Sequence, residues 1–123
     1  DVIKCGDFIG GVIAPGISAM NKSLIECCAK LYETDLTVIP EKIVGNETSE
    51  SIQSGIIHGF GSMIEGLLEK IKTEQKFDDC IIICSGGNAE IIKQLVNSVN
   101  IILDEKITYK GIRIIYEKNK QYL

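Results

Sequence analysis

The chain has 123 residues, of which 45% are hydrophobic and 24% are charged, a balance typical of one globular domain with a modest core. Thirteen Lys and Arg against seventeen Asp and Glu leave a net charge of −4. This charge argues against nucleic acid as a partner, because a nucleic-acid-binding surface needs a basic footprint. No apolar run approaches the roughly eighteen residues that span a bilayer, and no signal peptide is visible, so no membrane partner is expected.

Five cysteines and one histidine are present, and none of the cysteines form a Cys-x-x-Cys pair, which argues against a zinc site. Free cysteines usually behave as small buried hydrophobes, and we expect that of Cys80 and Cys84, which lie in an apolar strand-like run. Thiols that stay reduced favour a cytoplasmic protein.

The first half of the chain contains a predicted hairpin and a predicted helix. Residues 1–4 and 8–14 are β-rich runs separated by the turn sequence 5–7, which predicts the hairpin. Apolar residues at helical spacing predict a helix over about 17–32. Residues 36–39 are predicted as a short strand that a proline ends.

The second half alternates between helices and strands. A long helix is predicted to begin at residue 48 or 49 and to reach about residue 74. Residues 80–84 form an apolar strand, 88–99 a helix and 101–103 a further strand. Residues 107–119 are ambiguous by periodicity alone, and we favour a helix. A hairpin followed by this alternation predicts an α/β domain over 1–123, with a mixed sheet that has helices on both faces.

The long helix carries a stripe of small residues beside a broad apolar face. The stripe consists of Ser51, Gly55, Gly59, Ser62 and Gly66. Four glycines in this helix cost about 3–4 kcal/mol of helix propensity, so a compensating contact is expected. The stripe packs either on another helix or on a strand of the same sheet, and both alternatives stay open. His58, beside the stripe, is interpreted as a surface or interface residue.

Three glycine-bearing turns suit a nucleotide or another anion. Gly10 and Gly11 lie in a predicted strand, which indicates a bulge or a close approach. Residues 85–87 (Ser-Gly-Gly) end a strand and open a helix, where backbone N–H groups can hold a phosphate. Residues 45–48 lead into the positive dipole end of the long helix. No Walker A motif and no Gly-x-Gly-x-x-Gly motif are present.

Four ordered segments together resemble the type III pantothenate kinases. They are residues 10–17, 46–56, 85–87 and 111–119, and the resemblance covers essentially the whole chain. It implies a ribonuclease-H-like fold of the actin-type ATPase class, from the superfamily of acetate and sugar kinases, chaperones and actin. It also implies an enzyme of coenzyme A biosynthesis that phosphorylates pantothenate with ATP. Mg²⁺ and a monovalent cation, K⁺ or NH₄⁺, are implied as cofactors, and the family works as a homodimer.

The resemblance assigns site residues to this sequence. Thr48 matches the threonine that contacts pantothenate from the neighbouring subunit, although a simple helix cap is the competing reading. Gly10 and Gly11, together with Ser85, Gly86 and Gly87, match segments near the nucleotide. No catalytic residue and no metal ligand is expected in this chain.

Three segments of the family are not found in the 123 residues: Asp-x-Gly-Asn-Thr, Gly-x-Asp-Arg and Asp-x-Gly-Thr-Ala. We therefore expect a C-terminal domain that lacks its first strand, completed by an N-terminal half of the same enzyme and inactive alone. The alternative is a non-catalytic, dimerising regulatory or accessory protein on the same fold.

Overall fold

The structure, a computed structural model, describes residues 1–28 and 30–120. The elements in these ranges are β1 (Val2–Lys4), β2 (Asp7–Gly10), α1 (Ile17–Cys27), α2 (Thr48–Gln75), β3 (Ile82–Cys84), α3 (Ala89–Leu95), β4 (Ile101–Leu103) and α4 (Ile107–Asn119). The chain divides into two compact units, Asp1–Phe60 and Gly61–Leu123. The α/β class predicted from the sequence is confirmed.

The first unit opens with the predicted hairpin. β1 and β2 pair antiparallel, and Lys4 lies opposite Asp7. Cys5 and Gly6, the two residues between them, have φ angles of 54° and 89°. Positive φ at both central residues is the mark of a type I′ turn, whose twist matches that of the flanking strands. β2 ends at Gly10, where φ is 137°, so the strand is shorter than the predicted 8–14.

Helix α1 begins at Ile17 as predicted but ends at Cys27, because Cys28 is already extended, with φ −127° and ψ 105°. Ile17 is buried in the first unit, as are three isoleucines in the first half of α2. These are Ile52, Ile56 and Ile57, of which Ile57 is completely inaccessible. The apolar face predicted for the long helix is therefore confirmed in this unit.

The strand predicted over 36–39 is wrong. Asp35 accepts hydrogen bonds from the backbone N–H of Thr37 at 2.8 Å and from its hydroxyl at 2.7 Å, which fixes a local turn. Gln53 of α2 donates its amide to the backbone carbonyl of Asp35 at 2.7 Å and to that of Val38 at 3.1 Å. The Gln53 side chain thus binds backbone carbonyls that would otherwise accept hydrogen bonds from a neighbouring strand.

In the second unit β3 and β4 pair parallel, with Ile82 opposite Ile101 and Cys84 opposite Leu103. Helix α3 connects them, but it spans only Ala89–Leu95 and not 88–99, because Val96 is extended. Ala89, Val96 and Ile101 are the buried side chains of this α3–β4 region. α4 matches the favoured helix over 107–119, and none of its residues is buried against the described chain.

Among residues 1–28 and 30–120, each unit contains one small sheet. The strands form two two-stranded sheets, β1–β2 antiparallel and β3–β4 parallel. The prediction of one mixed sheet with helices on both faces stays a prediction.

The cysteines differ in burial, and the burial expected of Cys80 and Cys84 is only partial. Cys5, Cys27 and Cys28 are exposed, while Cys80 and Cys84 are half-buried. Cys5 occupies a turn tip and Cys27 the last turn of a helix, positions that do not face a core. Burial raises the pKa of the Cys84 thiol, although a backbone hydrogen bond at Ser85 acts in the opposite direction.

Across the part of the chain that the structure describes, no helix has both the length and the apolar character required to traverse a bilayer.

Candidate functional site

Thr48 stands at the start of α2, where its hydroxyl group is exposed. The first helical hydrogen bond runs from the backbone N–H of Ser51 to the carbonyl of Glu47 at 2.9 Å. Glu47 is therefore the capping position and Thr48 the first residue inside the helix. The Thr48 hydroxyl forms no hydrogen bond with any described residue, so these contacts do not support the reading of Thr48 as a cap.

The loop before α2 is fixed to the first turn of this helix. The Glu50 carboxylate, on the third helical residue, accepts the backbone N–H of Asn46, the residue before the cap, at 2.8 Å. A Cβ added to Gly45 would lie 2.6 Å from the backbone nitrogen of Ser51 and 2.7 Å from the carbonyl carbon of Glu50. Only glycine fits here without moving the backbone. The sequence indicated that residues 45–48 could bind an anion at the N-terminus of the long helix. It did not predict the close approach of Gly45 to the backbone of that helix.

We expect Gly45→Ala to destabilise the chain by about 1–3 kcal/mol, because the clash is with backbone atoms that cannot turn away. Gly111→Ala in α4 is the matched control, since a Cβ there meets nothing within 4 Å. The control should stabilise by up to about 1 kcal/mol through helix propensity. Urea denaturation of both variants measures the difference, and equal midpoints would contradict the role of Gly45.

The small residues of α2 face open space. A Cβ added at Gly55, Gly59 or Gly66 would meet no described atom within 4 Å. The alternative in which the stripe packs on a strand of its own sheet therefore finds no support among residues 1–28 and 30–120. Thr48, Gly55 and Gly59 fall on one side of the helix at 100° per residue, and all three are exposed.

Gly86 and Gly87 line a cavity of about 260 Å³ at the carboxyl ends of β3 and β4. The other lining residues are Ala89, Glu90, Leu103 and Glu105. Gly86 has a φ of 99°, a conformation that favours glycine, and its carbonyl accepts the backbone N–H of Ala89 at 3.1 Å. In open α/β sheets, ligands bind outside the carboxyl ends of the strands. Ser85 is exposed beside this cavity but does not line it.

Asp104 fixes the turn that follows β4. Its backbone N–H continues the pairing to the Cys84 carbonyl at 3.0 Å, and its carboxylate lies 2.6 Å from the Lys110 ammonium. The Lys110 hydrogen bond is the largest cause that lowers the pKa of the Asp104 carboxyl, so this group stays ionised. The sequence gave no signal for this pair, since its partners lie across a turn.

Gly10 and Gly11 belong to the first unit, and Ser85, Gly86 and Gly87 to the second. A Cβ at Gly11 would lie 3.0 Å from the Asp1 carboxylate and 3.3 Å from the Asp1 Cα, so glycine here permits the close approach that the sequence indicated. The contact is made with a neighbouring part of the chain. A nucleotide role for Gly10 and Gly11 stays a prediction.

A cleft of about 850 Å³ beside α1 contains none of the predicted site residues. Its lining includes Asn21, which is only 7% exposed and donates to the Thr34 carbonyl at 3.4 Å. The Asn21 amide oxygen has no hydrogen-bond partner among the described groups and is sealed from solvent. Because a ligand in the cleft cannot reach that oxygen, volume alone does not make the cleft a binding site.

No group of three His, Cys, Asp or Glu side chains that could hold a metal ion occurs within residues 1–28 and 30–120.

Comparison with known proteins identifies one consistent set of relatives. The sequence profile of the family described as type III pantothenate kinase matches residues 1–70, which include Gly10, Gly11 and Thr48. A type III pantothenate kinase from Roseiflexus castenholzii is 38% identical over 122 residues, covering 98% of this chain and 47% of the relative. Its namesake from Methylacidiphilum infernorum is 40% identical over 116 residues, covering 91% and 41%. The chain thus spans about half the length of the curated relatives it matches.

Proposed function

Because the chain belongs to the type III pantothenate kinase family, we propose that it forms part of an enzyme that transfers the terminal phosphoryl group of ATP to the hydroxyl of pantothenate. The product, 4′-phosphopantothenate, leads to coenzyme A. The observation that carries this proposal is the 38% identity that extends over 98% of the chain. It is the extent of this match, more than any single motif, that favours the kinase function.

The rest of the machinery is proposed to come from a portion that corresponds to the half of the relatives this chain does not cover. In this proposal the chain is the C-terminal half, of ribonuclease-H-like fold, and an N-terminal half completes it. Mg²⁺ neutralises the charge of the transferred phosphates in such reactions. Since the described residues gather no metal-binding cluster, the groups that hold Mg²⁺ and the monovalent cation are assigned to the completing portion.

For the nucleotide, we assign the cavity at Gly86 and Gly87, with Ser85 at its border. Its position at the carboxyl ends of two parallel strands and its glycine backbone support this assignment. Glu90 and Glu105 also line it, and two carboxylates would repel bare phosphates. The sugar or base of the nucleotide is therefore the better occupant, with the phosphates directed elsewhere.

For pantothenate, we assign Thr48, acting on the site of a neighbouring subunit in a homodimer. The open face of α2 supports this arrangement, because Thr48 lies on the same side as Gly55 and Gly59. A second helix that approached the two glycines closely would bring the free hydroxyl of Thr48 to the partner's surface.

We expect Thr48→Val in the completed enzyme to lower kcat/KM for pantothenate about fivefold or more, the equivalent of losing one hydrogen bond of about 1 kcal/mol. The KM for ATP and the melting temperature should change little, because the hydroxyl bonds to no described residue. Steady-state kinetics and thermal melts give both quantities, and Thr48→Ser, which keeps the hydroxyl, is the control.

Unchanged pantothenate kinetics in Thr48→Val would remove Thr48 from the site. A completed protein that dimerises and folds but never phosphorylates pantothenate would instead favour the accessory-protein alternative.

A further inference from the structure

Residues 35–46, here named the strap, lead from the turn at Asp35 to the start of α2. The strap contains no helix and no strand. Three side chains of α2, those of Gln53, Ser54 and His58, bind carbonyl groups of the strap. A fourth, Glu50, accepts the backbone N–H of Asn46. Strap and side chains all lie within the first unit.

Each of the three side chains reaches a backbone carbonyl of the strap. The Gln53 amide donates to Asp35 at 2.7 Å and to Val38 at 3.1 Å. The Ser54 hydroxyl donates to Ile43 at 2.5 Å and is 3% exposed. His58 Nε2 lies 3.0 Å from the carbonyl of Pro40, and since a carbonyl only accepts, Nε2 carries the proton.

The strap is thus shaped by the helix it lies on more than by its own sequence. A segment without internal backbone pairing keeps one conformation only if other groups satisfy its carbonyls. Gln53 and Ser54 are adjacent in sequence and His58 follows one helical turn later, so the three donors are fixed by one rigid element. The strap cannot shift along α2 without breaking all of them.

The far end of the strap forms the entry to the proposed substrate site. Gly45 and Asn46 contact the first turn of α2, and Thr48 follows two residues later. The strap and α2 enclose a cavity of about 270 Å³. It is lined by Pro40, Glu41, Lys42, Val44, Gly45, Asn46, Glu50 and Gln53. Gln53 therefore both holds the strap and lines the cavity beside the start of α2.

We propose that Gln53, Ser54 and His58 are positioning residues for pantothenate: they hold the strap so that the segment entering Thr48 is preorganised before substrate binds. This inference rests on the proposed function. Preorganisation makes binding tighter because the ordering of the segment does not have to occur on association. Losing one donor should therefore weaken pantothenate binding while leaving the phosphoryl-transfer step and ATP binding intact.

The test uses the completed enzyme with Gln53→Met and His58→Leu, which keep apolar bulk and remove the donor. Each should raise the KM for pantothenate about fivefold or more, with kcat and the KM for ATP within about twofold of the unsubstituted enzyme. Hydrogen exchange of the amides in 36–46 should accelerate in the same variants. His58→Gln, whose amide nitrogen can take the place of Nε2, should restore the KM.

Gln94→Met is the matched control, since Gln94 is exposed on α3 and makes no hydrogen bond with a described residue. An active enzyme in which both strap variants keep the original pantothenate KM would overturn the positioning role alone. A merely structural role would lower the melting temperature without the selective rise in this KM, and that result also overturns it. Failure of the unsubstituted enzyme to phosphorylate pantothenate would overturn the proposed function and this inference together.

Discussion

Residues 1–123 purified alone should convert no measurable pantothenate in the presence of ATP, Mg²⁺ and K⁺. Phosphoryl transfer depends on several charged groups that position the nucleotide and stabilise the transition state, and losing even one can cost about 10³-fold or more. The described residues gather no acidic or histidine cluster for a metal ion. Three segments that the resemblance implies for the complete enzyme are also not found in the 123 residues: Asp-x-Gly-Asn-Thr, Gly-x-Asp-Arg and Asp-x-Gly-Thr-Ala.

A coupled assay for ADP release with and without pantothenate measures this result. The matched control is the relative from Roseiflexus castenholzii, assayed whole and again as only the portion that aligns with this chain. Adding the complementary portion to residues 1–123 should restore turnover. Pantothenate-dependent turnover by residues 1–123 alone, above the level of the no-protein blank, would contradict the proposal that the catalytic groups lie outside them.

Gly55→Leu and Gly59→Leu should convert the proposed homodimer of the completed enzyme into monomers. The space beside both glycines is open, and a leucine in it would prevent a second helix from approaching closely. If each overpacked site costs about 1–3 kcal/mol, a symmetric dimer loses about twice that, which raises Kd by roughly 30-fold or more. Light scattering over a dilution series measures the molar mass of the enzyme in solution.

Gly111→Leu provides the control for this experiment, because it adds the same side chain to a helix position that is also open. It should leave the dimer intact. Unfolding of the stripe variants together with loss of the dimer agrees with an obligate assembly. Two stable, dimeric variants would show that the glycine face of α2 does not lie between subunits.

The elements that sequence reasoning predicted well are those with local causes. Helix α2 has a long periodic pattern and a polar start, and the hairpin has a two-residue turn with glycine at its centre. The strand predicted over 36–39 failed because its competitor is not local: the amide of Gln53 lies 15 and 18 residues away from the carbonyls it binds. The C-terminal ends of α1 and α3 were predicted too late, because the residues that end them, Cys28 and Val96, are neither glycine nor proline.

The residues of the candidate site also differ in whether a local sequence pattern could predict them. Gly86 and Gly87 could be singled out because a strand–glycine–helix turn is visible in the sequence, and the structure does place them at a cavity. Gly45 was singled out only as part of a turn suited to an anion, and its close contact with the backbone of the following helix had no signal in the sequence. His58 was interpreted as a surface or interface residue; it is half-buried, and its contact with the carbonyl of Pro40 had no signal in the sequence. Such roles depend on which segment lies against the helix, and no local pattern encodes that.

The hairpin at the beginning of the chain has a practical consequence for anyone who produces this segment alone. Within the described residues, β1 and β2 pair only with each other, so each strand has one edge with no strand beside it. Ile3, Phe8 and Ile9 on these strands are exposed. Exposed edges with apolar side chains recruit strands from other molecules and lead to aggregation. Residues 1–123 produced without the proposed completing portion should therefore form insoluble material. Co-expression of the two portions should reduce it.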